Sequence, residues 1–237
     1  MASEYLKKKY QDVKPDVPRE LTKAEKRKNW WDYHKWHVGI ALLLLAVMGS
    51  IVWDVFGQVK PDYQIAYVGS YRLPEEAAAA VETAFASLGE DLNGDGKVVA
   101  ALKQYTFGSE DPSTFAAAQV SLMGDVLECE SYFFLLEDPE QFQREYHTLR
   151  RLDGTLPEEE EDSAEGTYLV WADCPVLAAL ELGEYSYGLM DSAMTGSNQE
   201  LLSPLCLARR GFWTEKASAY TEGCDELWNK LTEGATP

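Results

Sequence analysis

The stretch "SYFFLLEDPEQF", residues 131–142, decides the reading of the fold. Residues 131–137 form a short run that is apolar on both sides of a strand. Such a run suits a central strand of a parallel sheet, covered by helices on each face. Asp138-Pro139-Glu140 follows at once. An Asp can cap a helix, Pro is pre-shaped for its first turn, and an acid suits its positive end. The stretch therefore reads as a buried strand passing directly into a helix.

The same device recurs upstream. "DYQIAYVGS", 62–70, reads as a strand, and Leu73-Pro74-Glu75-Glu76 starts a helix with Ala78, Val81, Phe85 and Leu88 as its apolar stripe, ended by Gly89. "KVVAALKQYTF", 97–107, is a second strand. Asp111 and Pro112 then open a helix with Phe115, Ala118, Leu122 and Val126 on one face. Strand and helix alternate three times, which predicts an α/β fold of the doubly wound, mainly parallel kind. Strands are expected at 65–68, 98–102 and 133–136, side by side. Downstream, 153–166 is an acidic solvated loop. "TYLVWA", 167–172, and "SPLCLARRGF", 203–212, read as further strands. The segment between them gives an ambiguous pattern, with room for a short helix and a long loop. Residues 214–231 read as a helix with Ala217, Tyr220, Cys224, Leu227 and Leu231 on one face.

Charge divides the 237-residue chain sharply. Residues 1–37 carry 10 of the 21 Lys and Arg and 6 of the 40 Asp and Glu, a net +4; from residue 54 onward the net is −23. Between them "VGIALLLLAVMGSIVW", 38–53, has no charge. Extended through Phe56, it would make a helix about 28 Å long at ~1.5 Å per residue, close to a hydrocarbon core of roughly 30 Å. Trp30, Trp31, Tyr33 and Trp36 flank one end, and Trp53 and Phe56 the other, as aromatic belts. The expectation is an uncleaved transmembrane helix at 38–56. A cytoplasmic basic tail and juxtamembrane helix (1–37, with Thr22 as N-cap) would precede it, and an extracellular domain (57–237) would follow. That makes the lipid bilayer a partner. It places the protein in the cell membrane as a single-pass chain. The acidic domain would repel nucleic acid, so nucleic acid is excluded as a partner. The four cysteines, 129, 174, 206 and 224, permit two disulfides in three pairings, or free thiols buried beside apolar runs. Their spacing fits no zinc pattern.

"DLNGDGKVVAAL", 91–102, has the opening of a calcium loop. Asp91, Asn93 and Asp95 stand at ligand positions, Gly96 at the turn, and the Lys97 carbonyl at the next position. Leu102 stands where a bidentate carboxylate is usual. The loop resembles that of bacterial galactose-binding periplasmic proteins, in which a distant Glu completes the shell. The competing reading is a tight Asn/Asp/Gly turn. A calcium ion held here would be structural, because the loop joins a helix to the start of a strand. Ligands of open α/β sheets bind at the other end, outside the strand carboxyl ends. There the sequence places Gly69, Ser70, Tyr71 and Arg72, then Phe107, Gly108 and Ser109, then Glu137 and Asp138. Ser70, Tyr71, Ser109 and Glu137 are the expected binding residues for a small polar ligand, a peptide or a protein partner. Asp138 reads as a cap. No catalytic residue is assigned: His147 lies on a polar helix, and no nucleophile motif or phosphate loop is present.

"YHKWH" before the apolar run, with "PDYQIAYVGS", "DLNGDGKV" and "SYFFLLEDPEQF" after it, resembles a group of single-pass membrane proteins of Gram-positive, chiefly clostridial, bacteria. The α/β pattern also resembles one lobe of an extracellular solute-binding protein, though such proteins have two lobes and a longer chain. The resemblance implies a membrane-anchored extracellular binding or interaction module, stabilised by calcium. The alternatives are a cell-envelope hydrolase or a subunit of a membrane complex.

Overall fold

The computed structural model describes residues 20–57, 60–109, 111–158, 161–187, 194–213 and 220–236, except for the side chains of 51–57, 187 and 194. The chain divides into two compact units, Met1–Gln58 and Val59–Pro237.

The described part of the first unit is one long helix, α1 (Lys23–Gly57). It starts with a capping box. The Thr22 N–H donates to Glu25 Oε2 at 2.9 Å, and the Glu25 N–H donates back to Thr22 Oγ1 at 3.4 Å. Trp30, Trp31, Tyr33 and Trp36 are exposed on it, as are Ile40, residues 42–45, Val47 and Met48. Among the described residues no helix is long and apolar enough to cross a membrane, which corrects the expected transmembrane helix. The apolar run with described side chains covers residues 38–50. At ~1.5 Å per residue it is about 20 Å long, against a hydrocarbon core of roughly 30 Å. Charged residues precede it. The side chains of 51–56 lie outside the described residues, as does the polar tail, 1–19.

The second unit is built on a five-stranded sheet. Its first elements are β1 (Tyr63–Gly69), α2 (Glu75–Leu88), β2 (Ala100–Thr106), α3 (Pro112–Glu128), β3 (Phe133–Leu136) and α4 (Pro139–Tyr146). β1 lies between β2 and β3 and is parallel to both, with Ile65 opposite Leu102 on one side and Phe133 on the other. The expected alternation is therefore present here, with β2 starting two residues later than its apolar pattern suggested. Asp111 Oδ1 accepts the Ser113 N–H at 3.2 Å and Asp138 Oδ1 accepts the Gln141 N–H at 2.9 Å, so both Asp-Pro pairs do open helices.

The remaining strands depart from the expectation. β4 (Tyr168–Val170) leads through a single 3₁₀ turn, α5 (Pro175–Ala178), a hairpin of β5 (Glu184–Tyr187) with β6 (Met194–Ser197), and α6 (Asn198–Leu202) to β7 (Cys206–Arg209). The sheet order is β2-β1-β3-β7-β4, and β7 is antiparallel to both its neighbours. The sheet is mixed, not mainly parallel. The cause lies in the excursion between β4 and β7. It starts and ends at one end of the sheet, where the Trp171 N–H donates to Leu205 O at 2.8 Å, so the returning strand must run backwards. α5 and α6 are single turns, and neither carries the chain back along the sheet to its other end before β7 starts. The last helix, α7 (Thr221–Leu231), lies within the helix expected at 214–231; residues 214–219 lie outside the described ones.

Alternation along the strands sorts the core into two layers. Ile65, Tyr67, Phe133, Leu135 and Leu207 face Val81 and Phe85 of α2 and Leu227, Trp228 and Leu231 of α7. Ala66, Phe134, Leu136 and Ala208 face Leu122 of α3 and Phe142 of α4. β3, buried at all four residues, is the strand that "FFLL" announces. All four cysteines are free thiols, three of them buried. Burial, with Asp225 adding, pushes the Cys224 thiol up to about 12.

A buried polar knot joins α3, β3 and β7. Asp125 accepts from Tyr105 Oη at 2.8 Å, Ser131 N at 2.9 Å and Ser131 Oγ at 2.7 Å. The Arg210 guanidinium donates to Ser131 O at 2.7 Å and Val126 O at 3.0 Å. Both charges are fully enclosed, and their mutual pairing with added hydrogen bonds is what makes that burial tolerable.

Candidate functional site

β1 is the point where the strand order reverses: β2 was added on one side of it and β3 on the other. Beyond the carboxyl ends of β1 and β3, α3 and α4 lie on one face of the sheet and leave a crevice between them. A cleft of about 550 Å³ lies there. Val68, Gly69 and Ser70 form its floor, with Phe107 and Phe115 on one wall and Phe142 and Tyr146 on the other. Gln119, Glu137, Asp138, Gln141 and Glu145 supply its polar groups. The volume is within the range of small-molecule sites, roughly 300–1,000 Å³.

Backbone geometry holds the floor in place. The Phe107 N–H donates to Gly69 O at 3.0 Å, Gly108 N–H to Ser70 O at 2.9 Å, and Glu137 N–H to Val68 O at 3.0 Å. A Cβ at Gly108 would overlap the Ser70 carbonyl, so only Gly allows this approach. A Cβ at Gly69 would overlap the Tyr67 hydroxyl and crowd the Glu137 carboxylate. The aromatic walls are paired: Phe107 and Phe115 meet edge to face with ring centres 5.5 Å apart, and Phe142 and Tyr146 lie 5.0 Å apart.

The polar groups are unusual in sign. The Ser70 N–H donates to Glu137 Oε2. Gln141 Nε2 donates to Glu145 Oε1 at 2.9 Å, and Asp138 caps its own helix. Among the described residues three carboxylates line the cleft, and no Lys, Arg or His does. Arg72 and Arg144, the nearest basic residues in sequence, are exposed and lie outside the lining. Burial, with Glu137 adding, pushes the Tyr67 hydroxyl beneath the floor up to about 12. That hydroxyl donates to Tyr71 O at 2.9 Å.

Comparison with protein-family models, curated proteins and solved structures gives no match. The site is therefore argued from its own geometry.

Of the expected binding residues, Ser70 and Glu137 come together in the cleft. Tyr71 turns outward and contributes its carbonyl to Tyr67. Ser109 is exposed, and its Oγ accepts the Asp111 N–H at 3.2 Å as part of the α3 cap. The sequence reading missed Phe115 and Gln119 on α3, and Gln141, Phe142, Glu145 and Tyr146 on α4. A signal for them existed. They recur at i and i+4 in the first turns after each strand, on the side that faces back over the sheet end.

At the opposite end of the sheet, the calcium-like loop is a closed turn laced by its own side chains. Asp91 accepts the Gly94 N–H at 2.6 Å and the Gly96 N–H at 2.7 Å, using both oxygens. Asn93 Oδ1 accepts from Asp95 N and Asp95 Oδ1 from Lys97 N, each at 2.9 Å. Gly94 and Gly96 have φ of 77° and 84°, where Gly is at ease. The organiser is Asp62, which the sequence reading passed over. Its Oδ1 accepts from Leu92 N and Asn93 N, and its Oδ2 from Val99 N. Asp62 is 6% exposed. Among the described residues no three His, Cys, Asp or Glu gather as a metal centre. The Lys97 carbonyl stands beside the loop, but Asp91, Asn93 and Asp95 already accept backbone amides. The repulsion between Asp91 and Asp95 that a cation would offset is thus met by hydrogen bonds.

Proposed function

We propose that the second unit is a binding module that holds a small ligand in the cleft at the carboxyl ends of β1 and β3. The observation that supports this reading is the coincidence of the strand-order reversal with a cleft of ligand size, walled by aromatic pairs and floored by pinned backbone. The chemistry of the lining favours binding over catalysis. Ser70, the hydroxyl residue on the floor, meets Glu137 through its backbone N–H. Among the described residues lining the cleft, no nucleophile is hydrogen-bonded to a base. The test is a fragment screen on the full chain, read by backbone amide shifts. Hits are expected to cluster at Gly69, Ser70 and Glu137. Hits that scatter over other faces, leaving these amides unmoved, would contradict the reading.

For the first unit, we propose lipid as the partner of the apolar residues 38–50. Their side chains are exposed all round the helix, so no single protein groove would cover them. Vesicle flotation checks this: the full chain floats with the vesicles, and Leu43→Glu with Leu45→Glu releases it. Equal flotation of both would remove lipid contact from the account.

A further inference from the structure

An α/β switch point ordinarily receives anions, because strand-end amides and helix N-termini point into it. In this cleft two of those donors, the Ser70 and Gln141 amides, are already occupied by the chain's own carboxylates. The Ser70 N–H is held by Glu137, and the α4 N-terminus by Asp138, whose Oδ1 takes the Gln141 N–H at 2.9 Å. The α3 N-terminus nearby is held by Asp111, which takes the Ser113 N–H at 3.2 Å. An incoming phosphate or carboxylate would find the Ser70 and Gln141 amides already held and would face Glu137, Asp138 and Glu145. Among the described residues no basic side chain in the lining offsets them. A cation finds the reverse. Glu137 and Glu145 are exposed and carry negative charge at the rim, and the faces of Phe107, Phe115 and Tyr146 attract positive charge. Gln119 and Gln141 add amide oxygens.

A bare metal ion does not fit this set. The carboxylates do not gather at metal-holding spacing among the described residues, and half the lining is aromatic or apolar. We infer that the cleft takes an organic ammonium ion: an amine whose charge sits between Glu137 and Glu145 and whose apolar body lies between the Phe107–Phe115 and Phe142–Tyr146 pairs. This rests on the cleft being the binding site.

The test compares three probes of one shape on the full chain by saturation-transfer NMR: 2-phenylethylammonium, neutral 2-phenylethanol and anionic 3-phenylpropionate. The ammonium is expected to bind about tenfold or more tightly than the other two, and to weaken as salt screens the rim. Glu137→Gln, which keeps an acceptor for the Ser70 N–H, is expected to weaken the ammonium about fivefold and leave the alcohol unchanged. Phe115→Ala, at a residue that is partly exposed, is expected to weaken every probe. Preference for the alcohol or the propionate, still sensitive to Phe115→Ala, would overturn the ammonium inference and leave the cleft standing. Failure of all three to bind, or binding indifferent to Phe115→Ala, would overturn the cleft as the site and the inference with it.

Discussion

The two ends of the sheet are both acidic, and they use their acids in opposite ways. At the amino end, Asp62 and Asp91 turn every carboxylate oxygen to a backbone N–H, and the loop between α2 and β2 closes on itself. At the carboxyl end, Glu137 and Asp138 each hold one amide, and their flanks face a cleft. The lesson is that the count of carboxylates does not mark a site. What marks it is whether their oxygens have partners within the fold, since a satisfied carboxylate organises backbone while a partly satisfied one beside a cavity can receive a ligand.

The largest effect that would sharpen this contrast belongs to Asp62. Asp62→Ala removes the acceptor of three amides at a buried position. It is expected to cost about 3 kcal/mol in denaturant unfolding, as hydrogen bonds to a buried charge do. A loss under about 1 kcal/mol would mean that the amino end is not held by this carboxylate. Next comes Gly108→Ala at the other end, where the new Cβ would overlap the Ser70 carbonyl and force the cleft floor apart. A cost of about 2 kcal/mol is expected, the usual scale of overpacking. Unchanged unfolding would show that the floor is not pinned.

Asp91 gives a smaller, pH-dependent effect. The Gly96 amide first, and Gly94 and its neighbours with it, hold its carboxyl below the usual range. A depressed folded pKa stabilises above the unfolded pKa, and that stability is lost as pH falls through the folded value. Asp91→Asn should therefore lower the melting temperature at neutral pH and flatten its decline between about pH 4 and pH 2. A decline as steep as in the parent would assign the acid limb to other groups. Smallest of all is the response to calcium. With both Asp91 oxygens, Asn93 Oδ1 and Asp95 Oδ1 already accepting amides, melting in millimolar calcium and in chelator should agree. A rise of several degrees in calcium, abolished by Asp95→Ala, would restore the loop as a cation site.

Much of the parallel half of the sheet was legible in the residues. The Asp-Pro starts at 111–112 and 138–139, the apolar run at 133–136 and the stripe of α2 are local signals with local causes. The antiparallel half was not. β7 is four buried residues, Arg209 among them, and its direction depends on where the preceding excursion ends. The single-turn helices α5 and α6 carry that information, and their residues gave an ambiguous pattern. The cleft was half legible for the same reason. Ser70 and Glu137 follow from strand ends, but Phe115, Gln119 and Tyr146 enter only once α3 and α4 lie across those ends. The loop at 91–97 was legible as a turn, but not in what holds it. Its spacing of Asp, Asn, Asp and Gly serves a cation and a turn equally well, and Asp62, thirty residues upstream, is what closes the turn in the fold.

The central claim is that the open carboxylates, not the closed ones, mark the site. Hydrogen–deuterium exchange of the full chain, with and without saturating 2-phenylethylammonium, tests it most directly. Protection is expected in peptides covering residues 68–71 and 137–146, with no change across 89–99. Protection across 89–99, or none at 137–146, would contradict it.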